Sequence, residues 1–106
     1  MLPVPTHEPP AHPGEVLRED FLKPFGMTQK VLSERTGLSY RYINGLAREK
    51  RSIDAEKAVL LGRFFGVSPQ FWLNLQQITD LYHAQQRCED KLRSIQPCQT
   101  AADGAP

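Results

Sequence analysis

The sequence predicts an all-α domain of five helices and no strands, and three observations support this fold class. Apolar residues recur at helical spacing, for example in Val16, Leu17 and Phe21. Residues that favour the N-cap position precede the later apolar runs; they are Thr28, Ser39, Asp54 and Ser68. Glycine and proline lie between the runs, where helices are expected to end.

Short turns separate the first three predicted helices. The first covers roughly Gly14 to Leu22, and Pro24 is expected to end it because proline lacks the N–H that a helix interior needs. The second runs from Thr28 to about Arg35, and the third from Ser39 to about Ala47. Gly37 supplies the left-handed backbone that a tight turn between them requires.

The last two predicted helices are longer. The fourth begins at Asp54 and ends at Gly66, and it is expected to bury Ala58, Leu61 and Phe65 with help from Val59 and Phe64. The fifth begins at Ser68, and Trp72 is expected to close its first turn as a core residue. We expect this extended C-terminal helix to continue past Tyr82 toward Leu92 and to stop before Pro97.

The chain is expected to form one domain with flexible ends. Residues 1–12 are rich in proline and predict a flexible arm, residues 13–96 form the helical domain, and residues 97–106 predict a disordered tail. Cys88 and Cys98 form no paired framework, and neither a signal peptide nor an apolar run of membrane length is visible. A cytoplasmic protein with reduced thiols is therefore expected.

The charge distribution singles out one segment. The whole chain has a formal net charge of +1. Residues 39–51 hold four basic side chains against one acidic side chain, Glu49, whereas the segments on either side are each slightly acidic. A concentrated basic patch attracts a polyanion such as nucleic acid. The alternative interpretation is a chance charge run on a solvated helix.

The second and third helices are short and closely joined, which is typical of a helix-turn-helix whose later helix enters the major groove of DNA. On a helical wheel the residues of the third helix that face the core are Ile43, Leu46 and Ala47. The residues on the outward side are Arg41, Asn44, Gly45 and Arg48. The outward side therefore predicts a surface that contacts DNA.

The chemistry of these residues suits that role. Arg41 can contact guanine and Asn44 can contact adenine, each through two hydrogen bonds. Gly45 removes a side chain from the outward face and would let the helix approach DNA closely. Lys50 and Arg51 follow in the loop, from which long cationic side chains usually reach phosphate.

Three further polar residues border the patch. Gln29 is the first residue after the Thr28 cap, where the earlier helix is expected to cross the DNA backbone. Tyr40 and Tyr42 flank the margins of the third helix. Tyr42 either contacts DNA or packs at the edge of the core.

Metal and enzyme sites are not predicted. No pair among the histidines and cysteines has the short spacing of a zinc site; these residues are His7, His12, His83, Cys88 and Cys98. The sequence holds no H-E-x-x-H, G-x-S-x-G or glycine-rich phosphate loop. We therefore expect neither a cofactor nor catalysis.

Several stretches resemble one known family. They are "HPGEVLREDFLKPFGMTQKVLSERTGLS", "RYIN", "KRSI", "RFFGVSPQFWLNLQ" and "DL", within about residues 12–81. In these stretches the chain resembles the HigA-type antitoxins of the Xre/Cro-like helix-turn-helix class. The resemblance implies a five-helix, lambda-repressor-like domain that dimerises, binds a palindromic operator in double-stranded DNA and autoregulates a type II toxin–antitoxin operon. It also implies a partner, a RelE-like ribonuclease toxin that the chain holds inactive.

The resemblance also assigns residues. It implies that Gln29 and Ser39 face phosphate and that Tyr40, Arg41 and Asn44 face the groove. Many relatives carry a reading side chain where this chain has glycine at position 45, so fewer residues would read the operator. Two other functions stay open: a stand-alone regulator of the same fold, and a protein-interaction adaptor whose basic patch binds an acidic protein.

The fifth helix predicts an interface. Its apolar stripe extends through Ile78, Leu81 and Tyr82, which is further than one small core can absorb. A second copy of the chain is the expected cover because soluble homo-oligomers are mostly two-fold. A toxin subunit is the alternative.

Overall fold

The computed structural model describes residues 9–98. Most of the predicted flexible arm, residues 1–8, and most of the predicted tail, residues 99–106, lie outside the described residues. Within residues 9–98 the chain is all-helical and contains no strand, which confirms the predicted fold class. No helix there is long and apolar enough to cross a membrane.

Six helices make up the described part of the chain, and the first is built from three consecutive segments. Helix α1 comprises the α-helical Pro13–Val16, the π-helical Leu17–Leu22 and the α-helical Lys23–Phe25. The remaining helices are α2 (Gln29–Thr36), α3 (Tyr40–Ala47), α4 (Ala55–Phe65), α5 (Pro69–Arg87) and α6 (Glu89–Ser94). All five predicted helices are present, and the predicted C-terminal extension is a separate short helix.

The prediction that Pro24 ends the first helix is wrong. The helix continues to Phe25, and Gly26, with a φ of 61°, ends it. The N–H of Lys23 bonds to the carbonyl of Arg18, five residues back, so the helix is wider just before the proline. A π turn displaces the carbonyls that the ring of Pro24 would otherwise contact. The N–H that Pro24 lacks falls where the hydrogen-bond pattern changes from π back to α.

Trp72 lies at the centre of the core and is fully buried, as predicted. Its ring lies 5.1 Å from that of Phe21, 6.2 Å from that of Phe65 and 5.2 Å from that of Phe71, measured between centroids. The indole Nε1 is buried without a hydrogen-bond partner. The expectation that Val59 helps to bury the apolar face of the fourth helix is wrong, because its side chain is 53% exposed.

The C-terminal end differs from the prediction of one long helix. Helix α5 ends at Arg87, and Cys88 has φ −100° and ψ 10°, outside the regular helix. Helix α6 then begins at Glu89 and has no buried residue. The residues just before Cys88 are polar, so no apolar contact holds a continued helix straight against the core. The helical part ends at Ser94, before Pro97, as expected.

Candidate nucleic-acid interface

Helices α2 and α3 form the predicted helix-turn-helix, and side-chain oxygens cap both helices. Thr28 Oγ1 accepts a hydrogen bond from the N–H of Val31 at 3.1 Å, and Ser39 Oγ accepts one from the N–H of Tyr42 at 3.0 Å. Between the helices Gly37 has a φ of 83°, the left-handed conformation predicted for it. These local bonds define the direction in which α3 leaves the turn.

The outward and inward sides of α3 are those that the helical wheel predicts. Ile43 and Leu46 are fully buried, and Ala47 is nearly so. Arg41 and Arg48 are exposed on the other side. Two basic side chains therefore project from a helix whose opposite face is fixed in the core.

An amide pair connects the two helices at their outward surface. Asn44 Nδ2 donates a hydrogen bond to Gln29 Oε1 at 3.1 Å. Both side chains are half-buried. The bond orients each amide and leaves the Asn44 Oδ1 and its second N–H for another partner.

The C-terminal end of α3 closes in a Schellman turn without glycine. The N–H of Lys50 bonds to the carbonyl of Gly45 at 2.8 Å, and the N–H of Glu49 bonds to the carbonyl of Leu46 at 2.8 Å. Glu49 has a φ of 64°, in the left-handed region that usually selects glycine at this position. Because no glycine marks this turn, no local pattern predicts it.

Helix α1 holds the same end of α3, through residues that sequence reasoning did not select. A Cβ atom on Gly14 would overlap the carbonyl oxygen of Leu46, so only glycine permits this close approach. The guanidinium of Arg18 donates a hydrogen bond to the carbonyl of Ala47 and lies 3.5 Å from the carboxylate of Glu49. Arg18 thus satisfies a carbonyl at the end of α3 that has no partner within the helix.

Tyr42 is a structural residue of the loop that follows α3. Its hydroxyl donates a hydrogen bond to the carbonyl of Ser52 at 2.6 Å, and its ring lies 5.4 Å from the Lys57 ammonium. Burial raises the pKa of Tyr42, and the nearby carboxylate of Asp54 raises it further. Of the two alternatives that the sequence left open, packing at the edge of the core therefore describes Tyr42.

The predicted DNA-contacting residues lie on α3 and on the segments that flank it. Tyr40 is 54% exposed at the start of α3, and Arg48, Lys50 and Arg51 are exposed at its end. Ser39 is also exposed, and its hydroxyl oxygen is engaged in the cap. The structure therefore brings the basic patch to α3 and the loop after it, and the hydrogen bond from Asn44 connects Gln29 at the start of α2 to the same surface.

The outward face of α3 contains no gap at Gly45. A Cβ atom on Gly45 would lie 2.7 Å from Cγ of Arg51 and 3.4 Å from its Nε. The expected bare surface, which would let DNA approach the helix backbone, is thus covered by the side chain of Arg51. The cause is the turn at Glu49, which returns the chain along the helix.

Comparison with known proteins places this architecture in a family. A family model for the helix-turn-helix matches residues 19–72. Virulence-associated protein I of Dichelobacter nodosus is 44% identical over 86 residues, which are 80% of each chain. Antitoxin HigA-1 of Vibrio cholerae is 32% identical over 92 residues, which are 87% of each chain. The chain belongs to the helix-turn-helix family, in its HigA-type antitoxin group.

A solved structure of a HigA-type antitoxin is similar to this chain in fold as well as in sequence. The antitoxin HigA of Pseudomonas aeruginosa, solved with the higBA promoter, is 38% identical and superposes with a TM-score of 0.79. The match covers 83% of this chain and 97% of that one. The lambda-repressor-like fold implied by the resemblance is thereby confirmed.

The residues predicted to form a dimer interface in this HigA-type chain lie beside the core, on α5. Ile78 and Tyr82 are half-buried, and Leu81 is 37% exposed. The side of α5 that faces the core carries Trp72, Gln76 and Thr79 instead. No group of three potential metal ligands exists among residues 9–98.

Proposed function

We propose that this chain is a sequence-specific DNA-binding repressor and the antitoxin of a type II toxin–antitoxin module. It binds a palindromic operator in its own promoter as a homodimer and holds a RelE-like ribonuclease toxin inactive. The observation that supports DNA binding best is the outward side of α3, where Arg41 and Arg48 project from a helix held at both ends. A rigidly oriented basic helix is the element that helix-turn-helix proteins place in the major groove.

The proposed contacts divide into two groups. Arg41 and Asn44 read base edges, with Tyr40 beside them at the start of α3. Gln29 at the start of α2, Ser39 at the start of α3, and Arg48 and Lys50 at the end of α3 contact phosphate, because these positions border the base-reading side chains. The hydrogen bond between Gln29 and Asn44 supports a base-reading role for Asn44, because it holds this amide in one orientation.

Two copies are needed for a specific site. One recognition helix covers only a few base pairs, so in our proposal two copies bind half-sites about one helical turn, ~34 Å, apart or a multiple of that. Ile78, Leu81 and Tyr82 on α5 form the contact between them. Their partial exposure supports this assignment, because a second copy would bury apolar surface that this chain leaves open.

The antitoxin role is supported by the relatives. HigA-1 of Vibrio cholerae is an antitoxin, and the HigA structure from Pseudomonas aeruginosa contains a promoter. A cytoplasmic location is part of the proposal, because a repressor acts where the promoter DNA is. Coexpression with a small basic toxin from an adjacent reading frame is expected to relieve growth arrest, and failure to relieve it would favour the stand-alone regulator.

The test of DNA binding compares Arg41→Ala with Lys50→Ala on the parent's own upstream region. Arg41→Ala is expected to weaken operator binding by ~1–3 kcal/mol and to relax the base preference. Lys50→Ala is expected to weaken all sequences alike and to lower the salt slope by about one. Mobility-shift titrations on operator and scrambled DNA measure both. If the parent bound both DNAs equally, the adaptor function would replace this one.

A further inference from the structure

The side chain of Arg51 occupies the position that a residue-45 side chain would take on the recognition helix. Measured from an ideal Cβ on Gly45, Cγ of Arg51 lies at 2.7 Å, Nε at 3.4 Å and Cδ at 3.6 Å. The aliphatic part of Arg51 therefore lies directly over Gly45. Arg51 comes from the loop, six residues further along the chain, so its place on α3 is a tertiary feature.

Hydrogen bonds on both sides of Arg51 hold its backbone in this place. On one side the N–H of Lys50 bonds to the carbonyl of Gly45 itself, at 2.8 Å. On the other side the carbonyl of Ser52 accepts the hydroxyl of Tyr42 at 2.6 Å, and Tyr42 belongs to α3. The two flanking residues are thus attached to the same helix, and Arg51 is carried across its outward face.

The position lies beside Arg41. Residues 41 and 45 are four apart on α3 and are neighbours one turn away from each other on the helix surface. Arg41 is the residue that the proposed function assigns to base reading, and Arg51, whose side chain lies over Gly45, is exposed. A guanidinium carries five donors in a planar fork, which matches the two acceptors of guanine in the major groove.

We infer that Arg51 is a specificity-determining residue that reads a base edge over Gly45, although it lies outside the recognition helix. The inference rests on the proposed function, since it needs α3 in the major groove. It separates Arg51 from Lys50, which the sequence groups with it as a phosphate contact. Lys50 forms the turn through its backbone N–H, and its side chain is exposed.

Arg51→Lys is the first test because it keeps the charge and removes the planar fork. The measured quantity is the ratio of operator affinity to scrambled-DNA affinity. Arg51→Lys is expected to lower this ratio about ten-fold or more and to leave the salt slope unchanged. Arg63→Lys is the matched control, because it makes the same exchange at an exposed arginine of α4, outside the basic patch, and it is expected to leave the ratio within about two-fold of the parent. An unchanged ratio in Arg51→Lys would overturn the inference.

Gly45→Ala is the second test because it acts on Arg51 without changing it. The new methyl group would collide with Cγ of Arg51, a flexible side chain that moves aside, and alanine is the better helix former, so the domain is expected to fold. Gly45→Ala is expected to lower the ratio of operator affinity to scrambled-DNA affinity by as much as Arg51→Lys does. In an Arg51→Ala background Gly45→Ala is expected to have no further effect on the ratio, which is the sign of coupled residues. Additive losses would overturn the inference.

The two levels of the proposal fail differently. If the parent itself shows no preference for the operator, the proposed function fails. If the parent and the Arg63→Lys control are selective and Arg41→Ala loses selectivity, but both Arg51→Lys and Gly45→Ala keep it, only the inference about Arg51 fails. Circular dichroism of each variant confirms that the helices are retained.

Discussion

The surroundings of α3 and the C-terminal end of the chain are built in opposite ways. Helix α3 is fastened by bonds from its neighbours: a cap at Ser39, the amide of Gln29, the guanidinium of Arg18 and the turn at Glu49. The far half of α5 and all of α6 have few such bonds and leave apolar side chains in water. Leu92 is 51% exposed and Ile95 is 65% exposed.

The difference shows which surface the single chain completes by itself. Around α3 the polar groups find partners within the chain, so the outward side keeps one orientation before anything binds. At the C-terminal end the apolar side chains would be buried only by another molecule. In our proposal DNA therefore binds a preformed surface, whereas dimerisation buries apolar side chains that the single chain leaves exposed. The following predictions test each side of this comparison.

The largest expected effect is on the stability of the packed core. Trp72→Ala removes a fully buried indole that contacts three phenylalanine rings, and is expected to lower the free energy of unfolding by ~3–5 kcal/mol. Urea titration followed by circular dichroism measures the loss. Val59→Ala is the matched control on the neighbouring helix, where truncation of an exposed side chain is expected to change stability by less than about 0.5 kcal/mol. Similar losses in both variants would contradict the comparison.

The second effect concerns the apolar residues of α5 that we propose as the dimer interface. Glutamates at Ile78 and Tyr82 are expected to yield a folded monomer, because a buried like-charge pair would disfavour the α5–α5 contact that we propose. Without the second half-site, operator affinity is expected to fall by about a hundred-fold or more. Light scattering and a footprint on the operator measure the two outcomes. Val59→Glu serves as the control, and a double variant that stays dimeric would move the interface elsewhere.

The third effect concerns the bond at the start of α1, which is sensitive to pH. Nδ1 of His12 accepts a hydrogen bond from the N–H of Gly14 at 2.9 Å. Burial lowers the pKa of His12 below 6.5, against smaller raising effects from Glu49 and Asp80. Because the folded pKa lies below the unfolded one, the contribution is complete above pH 6.5 and is lost as the pH falls through the folded value.

His12→Asn separates this titration from the cap. Asparagine can accept the same hydrogen bond without titrating, so the variant is expected to lose the fall in stability that the parent shows below pH 6.5. Ser68→Asn is the control, because it exchanges one non-titrating cap for another at the start of α5 and is expected to keep the parent's pH dependence. Denaturation curves between about pH 7.5 and pH 5 measure the difference. The prediction fails if His12→Asn keeps the parent's pH dependence.

The smallest effect is a gain in stability at the turn after α3. Glu49→Gly is expected to raise the free energy of unfolding by about 0.5–1 kcal/mol, since glycine adopts the left-handed backbone of residue 49 without strain. Glu49→Ala keeps the strain and loses the contact with Arg18, so it is expected to be slightly less stable than the parent. Thermal melts of the three proteins give the order, and an alanine variant as stable as the glycine variant would contradict this account.

Local signals predicted most of the fold. Thr28, Ser39, Asp54 and Ser68 cap their helices as expected, because a cap depends on a side chain and an N–H only a few residues away. The inward face of α3 followed from its periodicity for the same reason. The break at Cys88 was missed because it depends on whether the core supports the continuing helix.

The candidate site was predictable in composition and less so in arrangement. Arg41 and Arg48 could be assigned to the outward side from the wheel alone. The place of Arg51 could not, because it follows from a left-handed backbone at Glu49, and glutamate gives no sign of one. Nor could the close approach of Gly14 to Leu46, since two residues so distant in sequence share no local pattern.

The buried indole of Trp72 makes the chain a simple optical system. It is the only tryptophan among the 106 residues. Its ring is fully removed from water and its Nε1 has no partner, so its emission is expected to lie at short wavelength while the domain is folded. The DNA-facing side of α3 is exposed and Trp72 is buried, so a shift of the Trp72 emission reports opening of the core. In a DNA titration of the native chain, the same emission therefore shows whether the domain stays folded.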